Sequence, residues 1–209
     1  MEEPRAPGER GGSPVPLYHV TAHPIPVGRV LLPYAIGREY ATVLRLASSA
    51  LREGSEALAL LLAGDAWERL RGEGEHLAEM ILLEALFEQV RIAILPQSPG
   101  RLGAVFAWES LGLAYWYRAE HLPGGVVLRC VLDAGTAEEH DGAVVVEAFE
   151  TADLTDPRPR DLQRVAVLAE RYWVARPPMA FPELLVRGRV RVEGVITDEG
   201  RLDRFTDTP

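Results

Sequence analysis

Apolar and polar positions divide the chain into a helix-rich first half and a strand-rich second half. Leu17-Tyr18-His19-Val20-Thr21 alternates among β-formers and predicts a short strand that ends at the turn through Pro24 and Pro26. Gly28 to Pro33 reads as a second short strand or turn, followed by a polar bend through Gly37. Val43, Leu44, Leu46, Ala47 and Leu51 recur at helical spacing, and 56–63 and 66–70 continue the pattern past a break at Gly64-Asp65. Glu75 to Ile94 carries the clearest helical signal. There Leu77, Met80, Ile81, Leu83, Leu86, Phe87, Val90 and Ile94 supply a wide apolar stripe, and Pro96 and Pro99 stop it.

Downstream, 104–108 predicts a strand, 110–119 a short helix, 125–132 and 143–149 two strands, and 161–173 a helix. The last pair, 183–186 and 190–196, reads as two strands joined near Arg187-Gly188. Without an internal repeat or a mid-chain linker, the pattern implies one α+β domain over 17–198, its helices mostly in the N-terminal half. A Pro- and Gly-rich leader, 1–16, precedes it and a polar tail, 199–209, follows. The leader has no apolar core of a signal peptide, and stretches such as Leu58 to Ala63 fall far short of the ~20 residues that span a bilayer. A single cysteine, Cys130, lies in the apolar run 126–132 and cannot form an internal disulfide; it is expected as a buried strand residue. Together these features point to a cytoplasmic protein with no membrane partner.

Composition narrows the chemistry. Of 209 residues, 47% are hydrophobic and 25% charged, as in ordinary globular chains, and all 22 basic residues are arginine. A chain without lysine excludes a phosphate-loop lysine, a pyridoxal Schiff base, a lysine nucleophile and the lysine of a kinase. The net charge of -9 weighs against a broad basic face for nucleic acid, although nucleic acid as a substrate stays open.

The usual constellations fail in turn. Of the five histidines only His19 and His23 stand four apart, and Pro24 and Pro26 oppose the helix that would align them, so no metal is expected. Glu75, Glu79, Glu84 and Glu88 share a helix but lack the Glu-x-x-His pairs of a di-metal bundle. They read as solvated charges and local ion pairs such as Glu88 with Arg91. No Gly-x-Ser-x-Gly elbow occurs, and Gly72-Glu73-Gly74 lacks the third glycine and preceding strand of a dinucleotide fingerprint. What remains is a histidine and a threonine, His19 and Thr21, on one side of an early strand.

Three segments carry a family likeness. Tyr18-His19-Val20-Thr21 followed by GRVLLP resembles the opening of the ADP-ribosyltransferase superfamily. Glu84 to Glu109, EALFEQVRIAILPQSPGRLGAVFAWE, is similar to a bacterial branch in which an E-x-x-F-E-x-x-R helix runs into a P-S-R turn and an aromatic strand. Tyr172-Trp173 and the segment FPELLVRGRV, 181–190, resemble the closing motif, where a glutamate heads a strand. The likeness covers most of 17–196. One departure stands out: Gly100 occupies the place of the serine in P-S-R.

The resemblance implies a split-sheet fold whose cleft takes NAD as substrate, and an enzyme that breaks the nicotinamide–ribose bond. By motif position Glu183 would be the catalytic carboxylate that steadies positive charge on the sugar, with His19 bonding ribose and Thr21 supporting it. Rings to sandwich nicotinamide would come from Phe106, Trp108, Tyr115, Trp116 and Tyr117, with Tyr115 the first choice. Arg101 would meet the pyrophosphate, with Arg29 second. The expected function is a mono-ADP-ribosyltransferase acting on an unidentified acceptor, a toxin or defence effector with an antitoxin or immunity partner. Two alternatives share the fold: an NAD-dependent RNA 2'-phosphotransferase, and a degenerate module that binds a nucleotide or a protein without turnover.

Overall fold

The computed structural model describes residues 15–33, 40–197 and 200–203. In chain order its elements are β1 (Leu17–Thr21), α1 (Ala41–Glu53), α2 (Ser55–Leu62), α3 (Asp65–Glu73), α4 (Glu75–Ile94), a 3-10 turn (Arg101–Gly103), β2 (Val105–Ala107) and α5 (Leu111–His121). These are followed by β3 (Val126–Asp141), α6 (Ala143–Thr151), α7 (Pro159–Val174), β4 (Pro182–Ile196) and β5 (Leu202–Asp203). The class is α+β, with 49% of residues helical and 24% in strands.

All strand pairs are antiparallel in the order β1-β3-β4-β2, with β5 added to β4. The sheet curls into a half-barrel because its ends are drawn together: Tyr18 and Trp108 exchange backbone hydrogen bonds, both of 2.8 Å. On one face of the sheet Leu17, Val105, Leu128, Cys130, Val186 and Val192 form one core. Burial pushes the Cys130 thiol up to about 12, and Glu193 adds to the rise, so the group is protonated at neutral pH. On the other face, α4 packs against α1, α3 and α7, and Ile81 through Phe87 are all buried. Leu185 of β4 joins this helical core, whereas its neighbours Leu184 and Val186 belong to the first, the alternation of a strand with two covered faces.

Several boundaries differ from the sequence pattern for physical reasons. Residues 143–149 form helix α6 and not a strand: Asp141 ends β3 and its Oδ1 accepts the Ala143 amide at 3.2 Å, while Val144 and Ala148, four apart, are buried on one helical face. The two closing strands are the single strand β4. It passes 187–189 because Gly135 and Gly188 face each other at positive φ, where a Cβ on either would collide with the opposite backbone. Similarly β3 runs to Asp141 through register shifts at Arg129/Cys130 and Leu132/Ala134. Residues 28–31 pair with β4 through the Val30–Arg191 bridge, and part of the polar tail, Leu202-Asp203, is β5. The bend through Gly37 and most of the leader lie outside the described residues. No helix among the described residues is long and apolar enough to cross a membrane.

Candidate functional site

The site begins with the exit of α4. Arg91 pairs with Glu88 at 2.7 Å and donates from Nη1 to the carbonyls of Pro96 (3.0 Å) and Ser98 (2.9 Å), which fixes the turn delivering Arg101. Gly100 lies against this clamp: a Cβ there would stand 2.8 Å from Glu88 Oε2 and 3.3 Å from Arg91 Nε. A serine there would make the ends of these two side chains shift.

Arg101 is buried, 7% exposed, between two carboxylates that are buried as well, Glu84 of α4 (5%) and Glu183 of β4 (6%). Its Nε donates to both oxygens of Glu84 at 3.1 Å, and its Nη1 donates to Glu183 Oε1 at 2.6 Å and to the Tyr172 hydroxyl at 2.8 Å. The Tyr172 hydroxyl in turn donates to Glu183 Oε1 at 2.7 Å. The guanidinium also lies over the rings of Phe106 (4.8 Å), Tyr172 (5.1 Å) and Phe87 (5.7 Å). Burial raises the Glu84 carboxyl, and Arg101 pulls against it. Burial opposes the charge on Arg101, but Glu84, Tyr172 and Glu183 together hold it well above its ordinary range. Tyr172 is raised well above its own, first by burial, so it remains a donor. Behind it His140 stacks on the phenol ring at 4.8 Å and 16°, and burial lowers its basicity.

Over this cluster opens a cavity of about 510 Å³, within the range that holds a small ligand. Its walls are aromatic, formed by Phe106, Trp108, Tyr117, Phe149 and Phe181, with Glu84, Arg101 and Glu183 as its polar floor. His76, His121 and Glu150 line it from exposed positions. Gly142 stands where any side chain would fill the space beside Glu183: a Cβ would lie 3.2 Å from Oε2 and 2.8 Å from the Phe181 ring. That Oε2 atom has no hydrogen-bond partner among the described residues. A flat ligand bearing positive charge suits such a chamber, since ring faces and carboxylates both favour a cation. Among the described residues no group of three or more His, Cys, Asp or Glu stands together as a metal site would need.

Of the five residues singled out from the sequence, Arg101 and Glu183 meet in this cavity and the other three lie outside its lining. His19 bonds the Phe106 carbonyl through Nδ1 at 2.7 Å, and burial lowers its basicity. Thr21 ends β1 opposite Val126, half-buried. Tyr115 donates its hydroxyl to the Thr197 carbonyl at 2.7 Å. Tyr117 lines the cavity in its stead, because two steps along a helix turn a side chain by roughly 200°. Arg101, expected at the pyrophosphate, is buried, and Glu84, Glu183 and Tyr172 engage its Nε and Nη1. Glu84 corrects the reading of the α4 glutamates as solvated: it is buried, whereas the Glu88–Arg91 pair forms as expected. The signal for Glu84 was its place seven residues after Leu77, inside the apolar stripe.

A scan against protein-family models and a search of the curated proteins each find no match.

Proposed function

We propose that this chain is an NAD-consuming ADP-ribosyltransferase, with Glu183 as the carboxylate that drives cleavage of the nicotinamide–ribose bond. The observation that carries the reading is the meeting of Glu84, Arg101, Tyr172 and Glu183, which come from the segments that resemble the superfamily, at the floor of one aromatic cavity. The aromatic walls and carboxylates suit the cationic ring of NAD. As the bond from ribose to the ring nitrogen breaks, its electron pair leaves with neutral nicotinamide and positive charge develops on the sugar. Glu183 Oε2, which has no hydrogen-bond partner among the described residues, steadies that charge. Arg101 and Tyr172 fix the other oxygen and so hold the carboxylate in one direction. The incoming acceptor bonds the sugar carbon and gives up its proton.

The test is release of nicotinamide from NAD by the purified protein and by Glu183→Gln. Wild type should release it, alone or with cell lysate supplying an acceptor, and the variant should fall by at least ~100-fold. Equal rates in the two proteins would remove Glu183 from the chemistry. One placement favours a second reading, a module that binds the nucleotide without turnover: His19, which the family motif would bring to ribose, is bonded to Phe106 and outside the cavity lining. A rise in melting temperature with NAD but no nicotinamide released would select that reading.

A further inference from the structure

On the cavity wall, Tyr117 presents a polar atom that the scheme above leaves unused. Its ring is braced between Trp108 (centroids 4.6 Å apart) and His121 (4.7 Å). Its hydroxyl has no hydrogen-bond partner among the described residues, in contrast to Tyr115, bonded to Thr197, and Tyr172, bonded to Glu183. Burial raises the Tyr117 phenol above its ordinary range and Glu183 adds to the rise, so the group is a neutral donor at physiological pH. The Tyr117 side chain is half-buried, and once a ligand closes the cavity over it the hydroxyl must find an acceptor on that ligand or be left unsatisfied. A second free donor belongs to the same cavity floor: Arg101 Nη2, which has no hydrogen-bond partner among the described residues. Two donors match the carbonyl oxygen of a carboxamide, which has two lone pairs to accept them.

We propose that Tyr117 is a specificity-determining residue: its hydroxyl donates to a carbonyl oxygen carried on the flat cationic ring in the cavity, so the site selects a carboxamide-bearing ring over a bare one. This rests on the reading of the cavity as the pocket for the charged ring of NAD. A site built around a hydrogen bond rejects an analogue that cannot make it, because the buried partner is then left unsatisfied.

Two probes separate the outcomes, 1-methylnicotinamidium and 1-methylpyridinium, cations that differ only in the carboxamide. Their dissociation constants are measured by ligand-observed NMR for wild type and Tyr117→Phe. Wild type should prefer the carboxamide cation by roughly 3- to 10-fold. In Tyr117→Phe that preference should drop to near unity, with the affinity for 1-methylpyridinium unchanged and the melting temperature unmoved, since the hydroxyl bonds none of the described residues. An unchanged preference in the variant, or a marked fall in its melting temperature, overturns the assignment of Tyr117. If wild type binds both cations equally, only that assignment fails. If it binds neither, the cavity is no pocket for a cationic ring, and the NAD reading fails with it.

Discussion

Replacing Arg101 with methionine probes the cluster at its centre. The substitution keeps most of the side-chain length and removes the cation that stands between Glu84 and Glu183. Four hydrogen bonds from Arg101 disappear, and two buried carboxylates face each other with only Tyr172 donating to one of them. Removing one partner of a buried ion pair costs about 3–5 kcal/mol, a large fraction of the ~5–15 kcal/mol that holds a domain folded. At about 2–4 °C per kcal/mol for a chain of this size, the melting temperature should fall by roughly 6–20 °C. The loss also carries a pH signature. Burial already raises Glu84 in the wild type, and Arg101 is the first influence that lowers it again. Without Arg101 the folded-state value rises further. The carboxyl then favours the folded state below its unfolded value and loses that advantage as pH climbs through the raised one. Urea unfolding at pH 5 and pH 8 should therefore show Arg101→Met more destabilised at pH 8. The double variant Arg101→Met/Glu84→Gln, which removes one of the stranded charges, should recover part of the loss at pH 8. A destabilisation below ~1 kcal/mol, or no recovery in the double variant, would refute the picture of a closed buried cluster.

Gly142→Ala tests access to the free oxygen of Glu183: φ at this position is -59°, so alanine fits the backbone, but its Cβ would crowd Phe181 and Oε2. Nicotinamide release should fall by at least ~10-fold with the melting temperature nearly unchanged, and an unimpaired variant would show that the approach to Glu183 lies elsewhere. His19 and His140 are both lowered from the ordinary 6.5, first by burial, with backbone bonds to Phe106 and Tyr172 acting the other way. The unfolded chain therefore binds more protons below pH ~6.5, and stability present above that pH is lost as pH falls through the folded-state values. Replacing either histidine with glutamine should flatten the acid limb of a urea-unfolding series by up to one proton, and a limb unaltered by both substitutions would contradict the burial of these rings.

Legibility in the sequence followed the strength of one local signal. Where apolar periodicity ran long, as along 75–94, the predicted helix and α4 share both ends. Where the pattern is short or polar it misleads: the valines of 143–149 favour a strand by propensity, yet the chain turns at Asp141-Gly142 into α6, and the polar 133–141 extends β3 only because β4 lies beside it. Those are tertiary decisions that no window of neighbours contains. The same distinction governs the site. Arg101 and Glu183 were visible because each belongs to a compact motif, but their direct contact spans 82 positions and was not. Glu84 departs from the usual solvated helix glutamate: its position in register with Leu77 places it on the core face. A charge at a core position must have a partner of opposite sign. In a chain whose bases are all arginine that partner had to be a guanidinium, which can bond two carboxylates and lie over ring faces at once. Which of the 22 arginines fills that place is a tertiary decision: the fold brings Arg101 to Glu84, where the same guanidinium also meets Glu183.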